Sequence, residues 1–353
     1  MHGFATLLPR LFLQAGKTAK MATISTQDIT ASVADALQYI SYYHAPDFVA
    51  AMTRAYEREE SAAAKDAIGQ ILINSRMSAQ GHRPVCQDTG IVVVFVKVGQ
   101  SAVIQGDLSL QDAIDEGVRR AYTDPDNPLR ASVVSPPIGA RKNTGDNTPA
   151  VVHTEIVPGE DIEITVAAKG GGSENKARLT MLNPSDSLID WITQTLPGMG
   201  AGWCPPGILG LGIGGTPEKA MLMAKESLMA PIDMDEIVAR GPRDEIETLR
   251  LKIFEAVNRL GIGAQGLGGL TTVLDVKIHT YATHAASLPV AMIPNCAATR
   301  HVHFRLRGDG PAELPLVDPT VWPNITNQAT GQRVYLDQLI PESYRSWRIK
   351  EHT

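Results

Sequence analysis

GHRPVCQDTGIVVVFVKV, residues 81–98, joins a polar loop that holds a cysteine to a short apolar run. The run 91–98 is rich in valine and too short for a core helix. Its β-branched side chains fit a pleated, buried strand, so the reading is a strand with both faces covered. Upstream the period changes to helical. Thr26 and Asp28 are N-cap candidates, and Ile29, Val33, Leu37 and Ile40 recur on one helical face. Amphipathic helices are expected over 46–57 and 60–78, and again over 110–122. Further on, 150–157 and 161–168 read as two strands joined by a turn at Pro158-Gly159. Helices are expected over roughly 186–196, 216–229 and 243–260, and strands over 270–279, 288–293 and 301–306. Glycine-rich segments at 169–176, 203–215 and 261–269 read as loops. The fold class is therefore α+β or mixed α/β: a helical N-terminal part, then mixed sheets with surrounding helices.

Three segments are expected along the chain of 353 residues. Residues 1–22 are an N-terminal extension with basic residues and no acidic ones. That composition resembles a targeting leader. The segment is short and has a single arginine, so the favoured reading is a mis-assigned start, with Met21 as the first residue. Residues 23–306 form the main domain. Residues 307–353 read as a Pro-, Asp- and Gly-rich linker and the truncated start of a second domain.

Composition narrows the function. Hydrophobic residues make up 43% and charged residues 20%, with a formal net charge of -6. No basic stripe offers a nucleic acid or an anionic membrane surface a binding face, and no apolar run reaches bilayer length. The expectation is no nucleic-acid and no membrane partner. The 3 cysteines, Cys86, Cys204 and Cys296, are too few and too scattered for a disulfide framework, which favours a reducing compartment.

All three cysteines sit beside Gly, Pro, Asn or Asp rather than within an apolar stripe. One such cysteine alone is usually a small buried hydrophobe. Three in polar loops point instead to thiolates that hold something. Their spacing lacks the close pairs of structural zinc sites, although His82, His301 or His303 could complete a zinc set. Iron–sulfur clusters are thiolate-bound and usually take four cysteines. Three would leave one iron open, as a Lewis acid requires. Arg83, Lys142 and Arg300 are candidates for the positive charge that keeps thiolates ionised. GLGIGG, residues 210–215, departs from the dinucleotide fingerprint but could offer amides to an anion ahead of a helix.

Six segments carry a resemblance: PVCQDTG (84–90), KGGGSENK (169–176), WCPPGILGLGIGG (203–215), GIGAQGLGGLTTVLDVKI (261–278), THAASLPV (283–290) and NCAATRH (295–301). In this order they resemble the N-terminal domain of class I fumarases, which is also the α subunit of two-chain fumarases and of L-tartrate dehydratase. The resemblance implies a hydro-lyase of the tricarboxylic acid cycle that interconverts fumarate and malate. By resemblance, Cys86, Cys204 and Cys296 would hold a [4Fe-4S] cluster. Gln87 and Asp88 would touch the substrate, Arg130 would grip a carboxylate, and Gly170, Gly171 and Gly172 would present backbone to it. His284 would relay protons with Asp88. The resemblance further implies a small dicarboxylate substrate, a β domain or β subunit, a homodimer and a cytoplasmic location. L-tartrate is the alternative substrate, and a cluster-binding remnant without activity is the alternative outside enzymes.

Overall fold

The computed structural model describes residues 22–318, 321–323 and 325. The expectations for residues 1–21 and 326–353 lie outside the described residues. The chain opens with β1 (Thr23–Ser25), α1 (Thr26–Tyr42), α2 (Pro46–Arg58) and α3 (Ala62–Gly81), followed by β2 (Ile91–Gly99), β3 (Val103–Gln105) and α4 (Leu110–Tyr122). A small hairpin of β4 (Val134–Ser135) and β5 (Lys142–Asn143) leads to β6 (Val151–Val157), β7 (Ile162–Lys169), the single turn α5 (Gly171–Glu174) and β8 (Arg178–Leu182). The second half holds α6 (Leu188–Thr195), β9 (Gly207–Gly214), α7 (Pro217–Ser227), α8 (Met234–Arg240), α9 (Glu245–Asn258), β10 (Val273–Tyr281), β11 (Leu288–Asn295) and β12 (His301–Leu306). The mixed α and β class is as the sequence implies.

Local chemistry starts the helices. Ser25, Ser109 and Ser187 accept the backbone N–H three residues on, from Asp28, Asp112 and Asp190, and Asp244 does the same for Glu247. Ser25, rather than Thr26 or Asp28, is thus the cap of α1. α8 and β8 were not foreseen, because each is only one short stretch without a clear period.

Two four-stranded sheets form the frame, ordered β12-β7-β2-β6 and β10-β9-β11-β8. Along β2, Val92, Val94 and Val96 face α1–α4, while Val93 and Phe95 face the other sheet. This period of two explains why 91–96 is apolar throughout: both faces are buried there. Beyond the second sheet, α6, α8 and α9 enclose another core with Leu209, Leu211 and Val276. α7 packs between the sheets through Ala220 and Ala224, together with Leu228 just after its end.

Two expectations are corrected. β6 and β7 are joined by the expected turn at Pro158-Gly159, but they do not pair with each other as a hairpin would. β2 lies between them, parallel to β6 and antiparallel to β7. A turn sequence fixes where the chain reverses but not which strand enters the gap. Second, the glycine-rich run after Cys204 is no loop. It is the buried strand β9, paired with β10 and β11. A Cβ on Gly212 would lie 1.9 Å from the Ala220 carbonyl oxygen, and one on Gly210 would lie 2.3 Å from that of Ala224. The glycines let α7 rest directly on strand backbone, so they offer no amide nest to an anion.

The described part of the segment read as a linker packs onto the helical layer. Leu314, Val317 and Trp322 are buried there, Trp322 Nε1 donates to Ser75 Oγ at 2.8 Å, and Ala312 N donates to Ser32 Oγ at 2.9 Å.

Candidate active site

The three cysteines stand at strand ends that the topology gathers. Cys86 lies in the loop before β2, Cys204 just before β9 and Cys296 just after β11. Antiparallel pairing sets the start of β9 beside the end of β11, with Ile208 opposite Asn295. Ala297 N then donates to the Cys204 carbonyl at 3.0 Å. All three thiols are free, from buried Cys296 through half-buried Cys86 to exposed Cys204. Cys204 has φ of 56°, a left-handed conformation that non-glycine residues seldom hold without a reason. Burial pushes its thiol pKa up, and Cys296, Cys86 and Asp88 add to the shift, so these four groups share one electrostatic neighbourhood.

Asp88 is the most firmly held of the polar groups. Its Oδ2 accepts from Gly171 N at 2.7 Å and its Oδ1 from Gly90 N at 3.0 Å. These bonds tie the loop after Cys86 to the turn after β7. The crossing is tight. A Cβ on Gly90, whose φ is 81°, would lie 2.8 Å from the Lys169 carbonyl, and one on Gly172 would lie 3.0 Å from the Gly202 carbonyl oxygen. Glycine is needed at both points for backbone to pass backbone.

Arg130 joins the same group. Its Nη1 donates to the Gln87 carbonyl at 3.4 Å, and the Thr89 hydroxyl donates to the Arg130 carbonyl. The Tyr122 hydroxyl donates to the Thr89 carbonyl at 3.0 Å, and burial pushes its pKa to about 12. Gln87 and Arg130 are exposed, available to a ligand entering from outside. The structure thus brings together Cys86, Gln87, Asp88, Arg130, Gly170–Gly172, Cys204 and Cys296.

His284 is elsewhere. It sits in the exposed loop between β10 and β11, and Cys296 follows the far end of β11. The 8 residues of that strand separate the two by roughly 25 Å at about 3.3 Å per residue.

Two buried cations border the site. Lys169 is 2% exposed, and its Nζ donates to Ser173 Oγ. Burial lowers its pKa to about 8, against the pull of Glu174 and Cys296. In the sequence Lys169 stands only as the first residue of the KGGGSENK segment, and its one local signal is the triple glycine that follows. Arg300 is 3% exposed, whereas the other candidate cations, Arg83 and Lys142, are exposed.

Among the described residues, no three His, Cys, Asp or Glu side chains crowd a single point as one metal ion requires. Three free thiols share one electrostatic neighbourhood with a fixed carboxylate, and buried positive charge lies at its border. That donor set fits an iron–sulfur centre.

Comparison with known proteins gives the family. The sequence profile described as Fumarate hydratase (Fumerase) matches residues 30–305. A protein of Methanocaldococcus jannaschii with the provisional name L(+)-tartrate dehydratase subunit alpha is 35% identical over 283 residues, which cover 78% of this chain and 97% of that protein. The L(+)-tartrate dehydratase subunit alpha of Escherichia coli K12 is 31% identical over 288 residues, 80% of this chain and 91% of its own. The family match and these relatives show a hydro-lyase enzyme. The chain belongs to the fumarate hydratase (Fumerase) family, and that membership implies a metal cofactor.

Proposed function

We propose that this chain is the cluster-bearing component of a fumarate hydratase, converting fumarate and (S)-malate reversibly. The observation that carries the reading is the convergence of three free cysteines on Asp88 and the Gly170–Gly172 turn. Cys86, Cys204 and Cys296 would hold a [4Fe-4S] cluster. When bound, a cluster with one iron free of protein ligands supplies a Lewis acid for the substrate hydroxyl. The other roles belong to the chain's own residues. Arg130 offers a planar fork to a substrate carboxylate, and its anchor on the Gln87 carbonyl sets its height above the site. Asp88, oriented by two backbone amides, holds or moves a proton at Oδ2 or Oδ1. Gly170–Gly172 let substrate approach the backbone.

His284 can meet Asp88 only from a second copy of the chain, given the strand between them. The histidine assignment and the homodimer therefore stand or fall together. A β subunit or domain completes the enzyme, a reading supported by relatives named as alpha subunits. Free cysteines suit a reducing cytoplasm. Among the described residues, no helix is long and apolar enough to cross a membrane.

The names of the relatives favour a second reading, L-tartrate dehydratase. Anaerobic loading with iron and sulfide, then assays of malate, L-tartrate and mesaconate with and without a matching β chain, separates the two. Turnover of malate only with the β chain is expected. Preference for tartrate would replace the fumarase reading. Loading unchanged by Cys86→Ser would overturn the ligand set.

A further inference from the structure

Arg300 differs from the other well-buried arginine of this fold. Arg250, 8% exposed, is fully engaged: it bonds the Val276 carbonyl at 2.6 Å and Asp275 at 3.0 Å, and it pairs with Asp233. Arg300, 3% exposed, has no hydrogen-bond partner at Nε, Nη1 or Nη2 among the described residues. A guanidinium keeps its proton in any protein environment. A bare buried cation is strongly unfavourable unless an anion comes to it.

The backbone holds Arg300 in place. Its carbonyl accepts from Ala168 N at 3.0 Å, beside the end of β7. The turn that leads to it from Cys296 is closed by Asn295 Nδ2, which donates to Thr299 Oγ1 at 2.8 Å. The side chain is aimed at the cradle. Nη2 lies 3.7 Å from the point a Cβ on Gly170 would occupy, and Asp88 Oδ2 lies 3.3 Å from that same point. Asp88, whose oxygens accept from the amides of Gly171 and Gly90, makes no hydrogen bond to the guanidinium among the described residues. On the other flank, buried Lys169 feels the charge of Cys296.

We propose that Arg300 is the built-in counter-charge for the anionic iron–sulfur centre that Cys86, Cys204 and Cys296 would hold. This rests on the cofactor reading above. Arg300 touches none of the reacting atoms. It acts through the field it places on thiolates and sulfide. A fixed cation favours the more reduced, more negative centre, so it raises the reduction potential and slows loss of the cluster.

The test uses the full chain loaded anaerobically with iron and sulfide, in wild-type, Arg300→Lys and Arg300→Met forms. Three readouts are taken: the midpoint potential by a spectroscopically followed redox titration, the rate of cluster loss to a chelator, and KM for malate with the matching β chain added. Arg300→Met is expected to lower the reduced-to-oxidised ratio at fixed potential at least tenfold, about 59 mV for one electron. It should also lose cluster at least about tenfold faster, while Arg300→Lys stays near wild type because it keeps the charge. If Arg300→Met does not fold by circular dichroism, Arg300→Gln replaces it, with the same expectation. Equal potentials and loss rates in all forms would overturn the proposal, as would equal damage from the lysine and methionine changes. Unchanged cluster properties with weakened malate binding would also overturn it and move the guanidinium to the substrate. A wild-type chain that takes up no cluster at all would refute the cofactor reading itself, a result distinct from these.

Discussion

Gly212→Ala tests whether the glycine-rich run behind Cys204 is a strand under a helix. In the structure the new methyl group would sit 1.9 Å from the Ala220 carbonyl oxygen and 2.8 Å from Ala224 N. Both obstacles are backbone of α7, so no side-chain rotation relieves them. Overpacking of a filled core costs about 1–3 kcal/mol, and a rigid backbone obstacle belongs at the upper end. Reduced freedom of the unfolded chain returns about 0.4–1 kcal/mol for any Gly-to-Ala change. The net expectation is a loss of about 2 kcal/mol, read from urea unfolding of the full chain by linear extrapolation. Gly198→Ala is the control. A Cβ there meets nothing within 4 Å, so that variant should be neutral or up to about 1 kcal/mol more stable. If Gly212→Ala matches Gly198→Ala, the run is not packed under α7 and the strand argument fails. Because β9 starts three residues after Cys204, the same variant should also load less cluster.

Other expectations follow from the site and its surroundings. Asp88→Asn keeps shape but removes the charge that Gly171 N and Gly90 N hold. Turnover by the completed enzyme should fall by about 100-fold or more, and near-normal turnover would remove Asp88 from proton transfer. Arg130→Lys keeps charge but loses the fork, so KM for the dicarboxylate should rise about tenfold with kcat less changed. An unchanged KM would exclude a carboxylate grip. Burial lowers the pKa of His44 from 6.5 to about 3, and those of His82 and His301 to about 4. Each is neutral when folded and takes a proton on unfolding below pH 6.5, so their stabilisation is complete above that pH. It is lost as pH falls from 6.5 toward the folded values, by about 2 kcal/mol for each histidine at pH 5. Equal urea midpoints at pH 7 and pH 5 would contradict this.

Much of the secondary structure was legible because its causes are local. Helix α4 falls at 110–122 as expected, since Ser109 caps it and apolar Ile114, Val118 and Ala121 repeat on one face. The strand over 91–98 was legible from its valines, and the cysteine loops from Gly, Pro and Asp beside them. The motif words around Cys86, Cys204 and Cys296 pointed to the family before any geometry was known. The burial of Lys169 was not legible, because nothing beside it in sequence marks it as a core position. The glycine run escaped because glycine has no side chain to mark a period.

The sequence by itself determined where most helices and strands lie, which loops bear thiols, and the family to which those loops belong. Capping, period and loop composition act over a few residues, so they can be read in one dimension. Only the tertiary structure decided that β2 enters between β6 and β7, that residues 207–214 form a buried strand, and that His284 lies a strand's length from Cys296. It alone left Arg300 buried without a hydrogen-bond partner among the described residues. Each of these depends on which distant segment comes to lie alongside, a choice made by packing across the whole chain.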